Sequence, residues 1–254
     1  RVGEAALGNR LLCIKDDFQA SILADKLNEF NAQRKEIEGY VLEKAIEMLE
    51  GTPQEYPIAF VAGNDWHQGV IGIVAGKLKE RYNLPAFVMS VESDEVKGSA
   101  RSVPGVDLGA LIIAAKEKGV ITKGGGHTMA AGFSLEEDKI EEFRQFVGEY
   151  VRAQIGHEAI TPVIEVDGVL DLAGADQSLM DKLELLEPYG AGNSEPKLVL
   201  QRVRVSKARI VGSGHVSCFL SSANGGSMKA MAFRVADTAI GPALLNSNGA
   251  VFNV

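Results

Sequence analysis

Cysteine is nearly absent from this chain. Cys13 and Cys218 stand far apart, and together they make neither a disulfide framework nor a zinc knuckle. They fit a reducing compartment, the cytoplasm. Histidine is as scarce: His67, His127, His157 and His215 show no H-x-H or H-x-x-x-H spacing, so the sequence holds no dense metal site of its own. No apolar run approaches the roughly 18 residues of a membrane-spanning helix, and no basic, apolar leader opens the chain. Basic residues are outnumbered: the net charge of −8 excludes a wholly basic nucleic-acid binder. What remains is globular, with 46% hydrophobic and 24% charged residues over 254 positions, enough for one large domain or two ordinary ones. The chain opens on Arg1 and closes on the strand-like Val251-Phe252-Asn253-Val254, which reads as a piece of a longer protein.

The negative average hides two basic stretches. From Lys197 to Arg234 there are seven bases (Lys197, Arg202, Arg204, Lys207, Arg209, Lys229 and Arg234) and no acid. Between Val96 and Ser134, five bases face two acids. Basic surface on an acidic body holds a polyanion locally and repels it elsewhere. The competing reading is a solvated face whose bases pair with acids from other segments. Phe219 and Phe233 are the only aromatics between Lys197 and Arg234, so base stacking is expected to contribute little there.

Periodicity divides the chain in three. Leu23, Leu27, Phe30, Ile37, Val41, Ala45 and Met48 mark one face of a long helix, capped by Asp16 or Asp17 and stopped by Gly51-Thr52-Pro53. The middle alternates: strand at Ile58–Ala62, helix at Gly69–Tyr82, strands at Pro85–Val91 and Val96–Ser102, helix at Leu108–Lys118, strand at Ala130–Leu135, helix at Glu136–Ile155. That is a layered α/β domain. After Thr161 the pattern changes to short strands at Ile164–Leu170, Leu198–Ile210, Val216–Ser221 and Met228–Phe233, with a short helix at Ser178–Leu186 and glycine turns. This predicts a small antiparallel barrel.

Three motifs carry possible chemistry. Lys123-Gly124-Gly125-Gly126-His127 reads as a phosphate nest with an acid beside it, or as a plain turn. In Lys97-Gly98-Ser99-Ala100-Arg101-Ser102, strand alternation puts Ser99 and Arg101 on one face, a grip for phosphate or a surface ion pair. Asp65-Trp66-His67-Gln68-Gly69 precedes a helix whose N-terminus suits an anion, while Trp66 as core anchor and His67 as turn residue is equally consistent. Pro188-Tyr189-Gly190-Ala191-Gly192-Asn193 lacks a following Lys-Ser or Lys-Thr helix, which removes the P-loop reading.

Taken together and in order, Trp66-His67-x-Gly69-Val70-Ile71-Gly72, Gly98-Ser99-Ala100-Arg101-Ser102, Gly124-Gly125-Gly126-His127 and Pro188-Tyr189-Gly190-x-Gly192-Asn193 resemble the RecJ family, the single-strand-specific 5′→3′ DNA exonucleases among the DHH phosphoesterases. The resemblance implies an α/β DHH-associated domain over residues 54–156 and an all-β OB-fold-like barrel over 157–254. A long connector helix at the end of a DHH domain would occupy residues 1–53. It implies a terminal-phosphate pocket at Ser99 and Arg101, with His67 also touching substrate, and a loop of Gly124, Gly125 and Gly126 facing the scissile phosphate with His127 as its catalytic group. Lys197, Arg202, Arg204, Lys207 and Arg209 would grip single-stranded DNA. It further implies Mn²⁺ or Mg²⁺ held by residues upstream of this chain, other DNA-repair proteins as partners, and an inactive fragment in isolation. Two other functions share these motifs: a small-substrate phosphodiesterase for oligonucleotides, and a non-catalytic nucleic-acid-binding relative.

Overall fold

The computed structural model describes residues 2–53, 55–92, 95–156 and 163–254. They form two compact units, residues 1–162 and 163–254. The expected boundaries at Gln54 and His157 fall outside the described residues.

The first unit opens with α1 (Ala5–Cys13) and the 34-residue α2 (Asp17–Glu50), whose N-cap is Asp16: its carboxylate accepts the Gln19 N–H at 2.8 Å. There follow β1 (Ala59–Asn64), α3 (Gln68–Tyr82), β2 (Ala86–Glu92), β3 (Glu95–Arg101), α4 (Leu108–Glu117), β4 (Lys123–His127), β5 (Ala130–Glu136) and α5 (Ile140–Ile155). The five strands make one mixed sheet in the order β1-β2-β3-β5-β4, in which only β1 and β2 run parallel.

Both faces of this sheet carry core residues, but they are covered unequally. On one face Phe87, Met89, Val96, Ala100, Phe133 and Leu135 pack with Leu111 and Ile112 of α4 and with Phe143 and Val147 of α5. On the other face Ala59, Val61, Ala86 and Val88 of β1 and β2 pack with Val70, Val74 and Leu78 of α3 and with Val41, Ala45 and Leu49 of α2. Trp66 belongs to this second cluster at 5% exposure. Beyond α3 the same face of β3, β5 and β4 is left uncovered, because Lys97, Ser99, Gly125, Gly132, Ser134 and Lys123 supply no apolar surface to bury. That shelf positions the candidate site.

Glu38, 6% exposed, ties α2 to α3 by ion pairs to Arg34 on its own helix and to Lys77 at 2.5 Å. Burial acts to raise its pKa, but the hydrogen bond and charge of Lys77, with Arg34, outweigh that and hold the carboxyl below its ordinary value. A lowered folded-state pKa stabilises the fold above the ordinary carboxylate range, and the contribution is lost as pH falls through the folded value. Glu38→Gln is therefore expected to destabilise the unit by about 1–3 kcal/mol at neutral pH. Thermal melts should show the gap to wild type closing as the pH drops. A gap independent of pH would mean that the ion pair is not its cause.

The second unit has β6 (Gly168–Leu170), α6 (Gln177–Glu184), β7 (Leu198–Leu200), β8 (Val203–Val211), β9 (His215–Ser221), β10 (Ser227–Ala232), α7 (Ile240–Leu245) and β11 (Val251–Phe252). A four-stranded sheet in the order β10-β9-β8-β11 curls into an OB-like half-barrel beside the parallel pair β6-β7. Val203, Val205, Val216, Cys218, Leu220 and Leu244 form its core.

Three local expectations are corrected, and one helix had left no expectation. The glycine triplet is an extended edge strand, not a turn or nest: none of its glycines has a left-handed φ, and a nest needs successive residues of opposite hand to converge their N–H groups. Of Ile164–Leu170 only the last three residues join a sheet. The strand expected at Leu198–Ile210 breaks between Leu200 and Val203, where Arg202 has φ +55°. The six-residue α7, with Pro242 inside it, is too short to leave a periodic signal.

Candidate nucleic-acid interface

Cross-strand register organises the open shelf into three rows. Lys97, Ser134 and Lys123 are aligned across β3, β5 and β4; so are Ser99, Gly132 and Gly125; so are Arg101, Ala130 and His127. Neighbouring rows lie about 7 Å apart, two residues along each strand. The first two rows and Arg101 line an open cleft of about 800 Å³, with Gly69 and Gly72 of α3 as one wall. Among the described residues, three bases and two serines face it, and no carboxylate does.

Arg101 is fixed in place. Its Nη1 donates to Ser99 Oγ at 3.1 Å and to the Ala100 carbonyl at 2.8 Å, so guanidinium and hydroxyl stand together over the middle row. Gly72 makes room for them: a Cβ there would sit 3.1 Å from both Arg101 Nη2 and Ser99 Oγ. A glycine inside a helix costs roughly 1 kcal/mol against alanine, and here it lets α3 close over the arginine. No carboxylate pairs with Arg101 among the described residues, so the surface ion-pair reading of this strand is not what the structure has.

The floor is bare backbone. A Cβ on Gly125 would meet nothing within 4 Å, and on Gly132 only the Gly98 carbonyl oxygen at 3.9 Å. Gly124 and Gly126 are glycines for another reason. Their Cβ positions lie 2.6 Å from Ile112 Cγ2 and 2.4 Å from the Ala130 carbonyl oxygen, so they let β4 approach α4 and β5. Gly124 borders the cleft through its backbone, whereas Gly126 does not line it.

His127 is exposed at the end of β4, on the same face as Arg101 and two strands away, about 10 Å at ordinary strand spacing. It does not line the cleft but stands at its rim. The turn that follows is anchored: Leu108 N–H donates to the Thr128 carbonyl at 3.1 Å and Ser102 N–H to that of Met129 at 3.0 Å. His67 is the N-cap of α3, its Nδ1 accepting the Gly69 N–H at 2.9 Å, and it too stays outside the cleft lining. The role it visibly fills is that of a hydrogen-bonded cap.

Of the residues expected to touch substrate, Ser99, Arg101, Gly124 and Gly125 line the cleft; Gly72, Gly132 and Ser134 line it too and were not among those expected to touch substrate. Strand parity would have reached Gly132 and Ser134 from β5 once β4 was known to be its partner.

In the second unit, Lys197, Arg202, Arg204, Lys207 and Arg209 are all exposed. Among the described residues none of them forms an ion pair, nor do Lys229 and Arg234, so these charges are not neutralised from other segments. A bulge between Ser206 and Arg209, with Lys207 at φ +52°, brings the Lys207 ammonium to 5.5 Å from the centre of the Phe219 ring. Ser206, Phe219 and Lys229 form one outward row across β8, β9 and β10. Arg202 and Arg204 line a smaller cleft of about 460 Å³. It also holds Asp171, whose carboxyl is kept below its ordinary pKa by the Ala173 N–H and the Asn224 amide, and that anion makes this cleft the poorer phosphate site.

Among the described residues no group of three or more His, Cys, Asp or Glu side chains could hold a metal ion. No described helix is long and apolar enough to cross a membrane.

Comparison with known proteins matches the fold of both units. Residues 54–153 match the DHHA1 domain and residues 166–252 the RecJ OB domain. The chain is 33% identical over 250 residues to the single-stranded-DNA-specific exonuclease RecJ of Escherichia coli, and 32% identical over 250 residues to that of Dickeya dadantii. Each alignment covers 95% of this chain and 43% of the relative, so the chain spans less than half the length of the curated proteins it matches. The crystal structure of RecJ in complex with Mn²⁺ from Thermus thermophilus superposes with a TM-score of 0.73 at 29% identity, over 93% of this chain and 34% of that one. The same protein's Mg²⁺ complex gives 0.72.

Proposed function

We propose that this chain, which belongs to the RecJ family through its DHHA1 and RecJ OB domains, is the substrate-gripping part of a single-stranded-DNA-specific 5′→3′ exonuclease. The observation that carries the reading is the cleft itself: three bases, two serines and a bare glycine floor, with no acid among the described residues. A phosphate group is the ligand such a lining suits, because Arg101 offers a planar fork beside a hydroxyl and the glycines let it approach the sheet.

In this reading Arg101 and Ser99 hold the phosphate at the 5′ end. His127, on the same face and two strands away, donates to the phosphate being cut. Gly125 and Gly132 keep the floor beside this grip free of side chains, and Gly124 borders it through its backbone. The exposed bases of the second unit, Lys197, Arg202, Arg204, Lys207 and Arg209, hold the strand by its backbone. The divalent ion, Mn²⁺ or Mg²⁺, activates water and stabilises the leaving oxygen when bound. In this reading its ligands belong to the part of the relatives that this chain does not span, since among the described residues no group of three or more His, Cys, Asp or Glu comes together. The chain alone is then a clamp without hydrolytic activity.

Single-stranded DNA binding by the 254-residue chain tests this. If about four of the seven bases from Lys197 to Arg234 meet phosphates, the log–log slope of affinity against salt is expected to be roughly −3, at about −0.7 per contact. A slope near zero, with the fold intact by circular dichroism, would rule out the backbone grip.

A further inference from the structure

The cleft is longer than one phosphate needs. Resting on the assignment of Arg101 and Ser99 to the terminal phosphate, we propose that it accepts a 5′-polyphosphate, the di- or triphosphate end of a strand, with Lys97 and Lys123 holding the outer phosphates.

Four observations carry this. Lys97 and Lys123 flank Ser134 in one row, and both line the cleft. That row lies on the opposite side of the middle row from His127, so it extends away from the direction in which the proposed strand leaves. The Arg101 guanidinium reaches back to Ser99 Oγ, which places the terminal-phosphate grip at the middle row, about 7 Å short of the lysine row. Within the middle row Gly125 and Gly132 present no side chain, so the floor beside the arginine is open toward the lysine row.

The lysines are available. Among the described residues Lys123 has no ion-pair partner and Lys97 has one, Glu95 at 3.7 Å, with both side chains about half exposed. A single phosphate on Arg101 leaves the lysine row unused. A chain of phosphates running over the bare floor reaches it, and flexible ammonium groups suit the varied oxygen positions of a polyphosphate.

The test uses the whole 254-residue chain and one 3′-labelled oligonucleotide carrying a 5′-hydroxyl, a 5′-monophosphate or a 5′-triphosphate, read by fluorescence anisotropy. Wild type is expected to bind the triphosphate end roughly tenfold tighter than the monophosphate end, as two partly exposed ion pairs allow. The double variant Lys97→Gln, Lys123→Gln should lose that gain while keeping the preference for monophosphate over hydroxyl. Lys35→Gln with Lys116→Gln removes the same charge outside the cleft and should leave the gain intact; if it erases the gain equally, the preference is mere net charge and the proposal falls. It falls too if the cleft variant weakens all three ends alike, which would put the lysines on the strand's own path. Equal binding of mono- and triphosphate ends by wild type, with hydroxyl ends weaker, overturns this proposal and leaves the terminal-phosphate reading standing. Equal binding of monophosphate and hydroxyl ends overturns that reading instead. Competition by a free nucleoside triphosphate distinguishes the source: displacement as effective as that by the triphosphate strand assigns the cleft to polyphosphate alone, and its failure assigns it to the strand end. Both lysines are exposed enough that melting curves of the variants should match wild type.

Discussion

Arg101→Ala is expected to lower affinity for 5′-phosphorylated single strands by roughly 10- to 150-fold, the worth of a charge-assisted contact of about 1.5–3 kcal/mol. Strands ending in a 5′-hydroxyl should lose much less, because they offer no terminal phosphate. The expectation follows from how the side chain is held. Ser99 Oγ and the Ala100 carbonyl accept from Nη1, which leaves the rest of the fork free, and Gly72 keeps α3 from displacing it. The guanidinium is thus oriented before the ligand arrives, and little rotamer entropy remains to be lost on binding. His127→Ala is the internal comparison. It stands at the rim and outside the cleft, so it should leave 5′-end affinity nearly unchanged in the same titration. Equal weakening of phosphorylated and hydroxyl ends by Arg101→Ala would show that the arginine meets the strand backbone, and the terminal-phosphate role would be abandoned.

Much of this arrangement is legible in the sequence, and what is not has identifiable reasons. Ser99 and Arg101 share a face because their strand alternates with buried Val96, Gly98 and Ala100, and alternation survives in any sequence with side chains to alternate. β4 fails that test. Three consecutive glycines have no side chains, so period two leaves no trace, and glycine runs signal turns far more often than strands. The strand exists because Gly124 and Gly126 let its backbone lie against Ile112 and Ala130, a tertiary cause that no local pattern encodes. Gly72 stands in a motif the sequence shows, but its role is unreadable for the same reason, since its contribution is an absence of atoms against Arg101. The basic stretch of the second unit was plain from composition. Whether its charges were paired was not, because ion pairs join segments whose proximity only the fold decides. Residues 164–167 show the opposite failure: the alternation is present, but no neighbouring strand takes it up.

The glycine triplet gives the sharpest test of the strand itself, because its three members should respond differently to one added methyl group. Gly126→Ala drives a Cβ to 2.4 Å from the Ala130 carbonyl oxygen and 2.6 Å from Ala131 Cα, both backbone atoms that cannot rotate away. Overpacking of this kind costs about 3 kcal/mol, which in a unit of this size is a melting shift of roughly 5–10 °C. Gly124→Ala meets the side chains of Ile112 and Ile121, which can repack, so its loss should be smaller. Gly125→Ala has open space and a φ outside the left-handed region. It should hold or raise stability, by about 0.4–1 kcal/mol, because alanine narrows the unfolded ensemble. Its methyl group enters the cleft floor between the rows of Arg101 and Lys123, so affinity for 5′-phosphorylated strands should fall although the protein melts no earlier. Stability and binding are thereby separated within three residues: Gly126→Ala lowers the first chiefly, Gly125→Ala the second alone. A flexible turn would tolerate all three methyl groups alike, and a phosphate nest would lose binding at each of them. Melting curves and anisotropy titrations on the three variants decide among these outcomes, and uniform behaviour across the triplet would refute the edge strand.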